Sequence, residues 1–203
     1  MTQTESTPQP APGRPRSNEA RYAILQSALK LTQERSPADV TIKAIAEEAK
    51  VGRQTIYRWW RSRGEVVLEA LLDVGDMHVG QSQTRSPRKA VAQFLEDTIV
   101  QARSVRRALA VLMIDAQASS GFLEYFRSEF VEIRRAALIQ VIESAAGNVT
   151  LTNDEKQFIA DLVYGPLWYR LLVGHAPLSR AFADQLTDLV LDRLRWRKKE
   201  TTA

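Results

Sequence analysis

The chain has 203 residues, no cysteine and two histidines, with 44% hydrophobic and 26% charged side chains. The missing thiols exclude a disulfide framework and thiolate metal sites, and the overall balance is that of an ordinary globular protein. Net charge is +4, yet residues 1–64 hold 11 Lys/Arg against 6 Asp/Glu, so the whole positive excess lies in the N-terminal third and points to a polyanionic partner, nucleic acid first.

Residues 1–17, rich in Pro, Thr, Gln and Ser, cannot bury an apolar face and read as a disordered tail without the apolar core of a secretory signal. Arg14 and Arg16 read as generic charge on that tail rather than as an arm entering a minor groove. The longest wholly apolar run, Ala108 to Ile114, is too short to cross a bilayer, so a cytoplasmic protein with no membrane partner is expected. From Asn18 onward helical periodicity dominates and no strand alternation appears; the expectation is an all-α chain of about nine helices.

The first helix is expected over 18–34, with Ile24, Ala28 and Leu31 on one face. Thr41 is a natural N-cap for a short second helix, in which Ile42, Ile45, Ala46 and Ala49 fall at i, i+3, i+4 and i+7. A turn at 50–52 leads to a third short helix over 53–60. Ser62 with Glu65 reads as a capping box opening a fourth helix that carries Val67, Ala70 and Leu71. Further helices are expected over 88–103, 105–115, 121–146, 154–173 (with Pro166 inside, after a Thr152–Glu155 capping box), and from Ser179 to the basic end "RLRWRKK".

Two short helices joined by a tight turn form a helix-turn-helix, which lays its second helix in the DNA major groove. Ile56 and Trp60 are i, i+4 and should face inward, whereas Arg53/Tyr57 and Gln54/Arg58 point outward. Arg53 suits guanine, Gln54 suits adenine, and Thr55 can touch a thymine methyl. Thr41, Lys43, Tyr57 and Arg63 are placed to meet phosphates, and Trp59 flanks that surface with its indole N–H. The DNA-binding set is therefore Thr41, Lys43, Arg53, Gln54, Thr55, Tyr57, Arg58, Trp59 and Arg63.

The stretch "TIKAIAEEAKVGRQTIYRWWRSRGEVV", residues 41–67, resembles the TetR (tetracycline-repressor) family of bacterial transcription regulators, above all in Thr41, Ile45–Ala46, Val51, Thr55–Tyr57 and Trp60. The resemblance implies an N-terminal three-helix DNA-binding domain, here 18–62, and a larger helical domain, here 63–203. The larger part would dimerise through its last two helices and hold a small-molecule pocket. Three positions depart from the family pattern. Lys50 stands where Gly is usual, at a helix end favouring positive φ, so either the lysine is held there at a cost of about 1 kcal/mol or the turn differs. Gly52 replaces a Ser/Thr cap, and Gly64 an acidic residue.

In the larger part, His78, Phe94, Met113, Phe122, Phe126, Tyr164, Trp168 and Tyr169 are candidate pocket residues for a small hydrophobic or amphipathic effector. Phe158, Leu162, Phe182, Leu186, Leu189 and Val190 are candidate dimer-interface residues, and a two-fold dimer would place two recognition helices on one palindromic operator. No catalytic constellation, metal-ligand spacing or Gly-rich phosphate loop is present, so no enzyme, metal or cofactor is expected. The function expected is that of a repressor released from its operator by a ligand.

Overall fold

The structure, a computed structural model, describes residues 15–73 and 86–202. Its elements are α1 (Pro15–Glu34), α2 (Ile42–Glu48), α3 (Arg53–Tyr57), α4 (Arg63–Asp73), α5 (Pro87–Ser104), α6 (Arg106–Ala118), α7 (Ser120–Phe126), a π-helical turn (Arg127–Glu132), α8 (Ile133–Ala146), α9 (Asn153–Val173) and α10 (Arg180–Thr202). The residues capping the π turn on both sides are in the right-handed helical region, so α7, the π turn and α8 form one continuous rod. Counted that way, the described residues hold nine helices and no strand.

α1 begins at Pro15, three residues before the expected Asn18, because proline in a first turn lacks only an N–H that would have no helical partner. Residues 1–14 of the expected tail, and the far end of the fourth helix with His78, lie outside the described residues.

α1, α2, α3 and the start of α4 close around Ile24, Leu31, Ile45, Ile56, Trp60 and Leu68, all essentially buried. Trp60 is the anchor. Its indole Nε1 donates to Glu69 Oε2 at 2.6 Å, satisfying the one polar atom of a ring otherwise buried. Arg21 of α1 donates to the same Glu69 and to Asp73 Oδ2 at 2.6 Å, and Lys30 pairs with Glu48 at 2.6 Å. In the larger part α5 packs against both α8 and α10, and α9 packs against α8 and α10.

The caps follow the local chemistry of the sequence. Thr41 Oγ1 accepts from Ala44 N–H, Thr152 and Glu155 form a reciprocal box, and Ser179 Oγ accepts from Phe182 N–H. Ser62 Oγ accepts from Glu65 N–H, but the Glu65 carboxylate accepts from the Arg61 N–H, so this box closes one residue early. Lys50 has φ +55°, with its N–H on Glu47 O and the Val51 N–H on Ala46 O. That is a Schellman ending with lysine in the position glycine fits best.

Candidate nucleic-acid interface

α3 starts from Gly52, which leaves the helix without a side-chain cap. It is five residues long, shorter than the expected 53–60, because after Tyr57 the chain turns to bring Trp60 inward. Ile56 is buried, while Arg53, Gln54, Tyr57 and Arg58 are exposed, Tyr57 by 52%. Thr55 and Trp59 are half-buried at the edge, and Trp59 meets Trp60 edge-on at 5.4 Å. Thr41 and Lys43, at the start of α2, are exposed as well. Among the described residues neither Arg53 nor Arg58 is in an ion pair, so both keep their charge and their donors for a ligand.

Arg63 does not belong to this surface. Its Nε and Nη2 donate to Asp115 Oδ1 at 2.9 and 2.8 Å, and its Nη1 donates to Pro37 O at 3.0 Å and Val40 O at 2.9 Å. The guanidinium bolts the loop before α2 to α6 with four of its five N–H groups and is four-fifths buried, so it is committed to the fold rather than turned to a phosphate. Sequence reasoning missed this because Asp115 is 52 residues away and no local pattern links the two.

The residues of the two-helix unit match a family model described as bacterial regulatory proteins, tetR family, over 24–70. A second model, tetracyclin repressor-like C-terminal domain, matches 82–190, more than half the chain. The chain belongs to the TetR family. It is thus a transcriptional regulator with a DNA-binding helix-turn-helix. An uncharacterized HTH-type transcriptional regulator of Bacillus subtilis, YdeS, is 28% identical over 189 residues, covering 89% of this chain and 90% of its own. A similarly described Mycobacterium tuberculosis protein is 23% identical, covering 94% of both. A TetR-family regulator from Streptomyces coelicolor superposes with a TM-score of 0.68 at 17% identity, over 90% of this chain and 83% of that one. One from Rhodococcus sp. RHA1 superposes with a TM-score of 0.58 at 20% identity, over 88% and 97%. No helix among the described residues is long and apolar enough to cross a membrane.

In the larger domain of this TetR-family chain, α5, α6, the π turn, α8 and α9 enclose a cavity of about 290 Å³. Of the expected pocket residues, Phe94, Tyr164 and Trp168 line it. Phe122, Phe126, Met113 and Tyr169 do not. Tyr169 is exposed and lies against His175, and Met113 is half-buried elsewhere. Phe122 and Phe126 form a stack that ends at the cavity wall: Phe122 to Phe126 at 6.3 Å, Phe126 to Phe130 at 5.3 Å, and Phe126 edge-on to Trp168 at 6.5 Å.

Sequence reasoning did not single out Thr98, Phe130, Leu167 and Arg134 as cavity residues. Phe130 was legible as a helix-stripe residue, but only packing shows which end of the stripe meets the cavity. Arg134 lies 3.6 Å over the Phe130 ring, and burial lowers its pKa to about 10 against a smaller opposing effect of Tyr164. The Tyr164 hydroxyl donates to Arg134 O at 2.9 Å, and burial pushes its ionisation upward.

The expected interface set divides. Phe182, Leu186 and Val190 are buried within the protomer, at most 4% exposed, with Arg170 lying 3.8 Å over the Phe182 ring; they are core, not interface. Phe158 and Leu189 point outward, and Leu162 is half-buried. Tyr169, Leu172 and Val173 on α9 and Trp196 on α10 join them as large exposed apolar side chains.

Proposed function

We propose that this protein is a homodimeric repressor that leaves a palindromic operator when a small hydrophobic or amphipathic ligand enters the aromatic cavity. The reading divides the chain into a DNA-binding domain, 18–62, and an effector and dimerisation domain, 63–203, acting in the cytoplasm. The observation that carries it is the outward set Arg53, Gln54, Tyr57 and Arg58, with both guanidiniums outside any ion pair among the described residues. Arg53 and Gln54 then read base edges, while Thr41, Lys43, Tyr57 and Arg58 hold phosphates, with Thr55 and Trp59 at the rim.

Dimerisation is supported by the apolar row Phe158, Tyr169, Leu172 and Val173 on α9 beside Leu189 and Trp196 on α10. Such a cluster on one face marks a protein–protein contact. Effector control is supported by a cavity in which the apolar walls of Phe94, Phe130, Leu167 and Trp168 meet the polar groups of Asp97, Gln101, Arg134 and Asp161, as an amphipathic ligand requires, joined through Phe130, Phe126 and Phe122 to Gly64 at the start of α4. A ligand acts by binding one arrangement of this stack better than the other, which shifts the spacing of the two recognition helices.

Sedimentation and footprinting test the reading together. The wild type should sediment as a dimer and protect two half-sites about one helical turn, or a multiple of it, apart. Phe158→Glu with Leu189→Glu should give monomers that lose operator affinity. Monomeric wild type protecting a single half-site would contradict the proposal. Ala102→Leu, which narrows the cavity from a buried wall position, should retain operator binding and blunt induction in an operator-driven reporter.

A further inference from the structure

A second opening lies at the joint between the helix-turn-helix unit and the larger domain. It is a cleft of about 650 Å³ between Leu29, Thr32 and Gln33 of α1, Leu71 of α4, the first turn of α6, and Leu171 of α9. A groove of about 700 Å³ along the α9–α10 loop shares Arg103 and Arg106 with it. Neither has a lining residue in common with the aromatic cavity.

Four guanidiniums meet in these two openings: Arg103, Arg106, Arg107 and Arg170. Arg106 Nε donates to Leu171 O at 2.8 Å, and Arg107 Nη1 donates to Gln33 O at 2.5 Å. Arg170 Nη1 donates to Pro177 O at 3.1 Å while the group lies over the Phe182 ring. Gly174, at φ +69°, gives Arg106 its room: a Cβ there would fall 2.8 Å from Nη2. Among the described residues none of the four is in an ion pair, and Arg103 makes no hydrogen bond either.

Carbonyls and a ring fix the direction of a guanidinium without cancelling its charge. Three of these groups are therefore oriented, and the charges of all four gather along two adjoining openings that share Arg103 and Arg106. Gathered like charges repel unless an anion joins them. Arginine donors suit phosphate oxygens in particular, through paired N–H···O contacts. Arg107 already holds α1 through Gln33, so an anion seated here touches both the DNA-binding unit and the larger domain.

We propose that this arginine cleft binds a multiply charged phosphate group and that the bound anion ties the DNA-binding unit to the larger domain. The phosphates can be those of a free small molecule or of the DNA backbone, and two arms of one experiment separate these sources. In the first, thermal unfolding of the full chain is followed against sodium tripolyphosphate, with ionic strength held constant by sodium chloride. The melting temperature of the wild type should rise with tripolyphosphate, and Arg58→Gln, just past the end of α3, should respond equally. Arg103→Gln, which removes an exposed side chain without partners and so should melt like the wild type in plain salt, should bind about tenfold more weakly, as expected for one charge-assisted contact.

In the second arm, affinity for a duplex of arbitrary sequence is measured over a salt series. A wild type indifferent to tripolyphosphate, with weaker duplex binding by Arg103→Gln and a salt slope lower by about one, would assign the phosphates to DNA. Equal behaviour of wild type and Arg103→Gln in both arms would overturn the proposal.

Discussion

Phe122 lies so close to Gly64 that a Cβ on the glycine would fall 2.6 Å from the ring's Cζ. The resemblance implies an acidic residue at this position, and the contact leaves no room for one: a side chain there would evict the ring. Because Phe122 stacks on Phe126, and Phe126 on Phe130, the contact joins α4 to the cavity wall through aromatic rings alone. Gly64→Ala should destabilise the fold by about 1–3 kcal/mol through overpacking, measured by urea unfolding. Phe122→Leu in that background should recover part of the loss, so the double-mutant cycle should show coupling rather than additivity.

Arg63 and Arg53 stand ten positions apart in a basic segment and should behave oppositely. Arg63→Ala leaves Asp115 without its partner at a mostly buried site and frees two carbonyls, so a stability loss of roughly 2–4 kcal/mol is expected by chemical denaturation. Arg53→Ala removes an exposed side chain outside any ion pair. Its stability should stay within about 0.5 kcal/mol of wild type, while discrimination at one base position falls.

Lys50 holds a left-handed backbone angle that glycine adopts without penalty. Lys50→Gly should therefore stabilise the chain by about 1 kcal/mol, visible as a higher urea midpoint with an unchanged slope. The hydrogen bonds of the Schellman ending remain available to glycine, so the turn into α3 should be preserved.

The Thr152 backbone N–H, with help from Arg197, holds the Glu155 carboxyl below the usual carboxylate range. A folded pKa below the unfolded one gives stability that is present above the unfolded value and lost as pH falls through the folded one. Acid unfolding should therefore draw on the α9 cap and its link to α10. Glu155→Gln should lower the melting temperature at neutral pH and flatten the acid limb of its pH profile.

The helix-turn-helix was legible because short-range rules govern it. Thr41 caps, Ile45 and Ile56 turn inward, and Arg53 and Tyr57 share an outward spacing, all within 17 residues. Contacts between distant segments were not legible. The pairing of Arg63 with Asp115 and the seating of Phe122 on Gly64 depend on how α4 meets α6 and α7. The dimer set failed in part for a related reason: Phe182, Leu186 and Val190 fall on the stripe that α10 turns toward its own domain, and apolar spacing does not say which face meets which partner. The π turn adds a further shift of register that no residue type in 127–132 announces.

Selection of bound duplexes from a random pool tests the central claim most directly, with wild type and Arg53→Ala run in parallel at one salt concentration. The account predicts an enriched palindrome for the wild type and loss or relaxation of one base pair in each half-site for the variant. Enrichment of no sequence by the wild type, or an identical palindrome with Arg53 removed, would contradict the assignment of α3 as the reading helix.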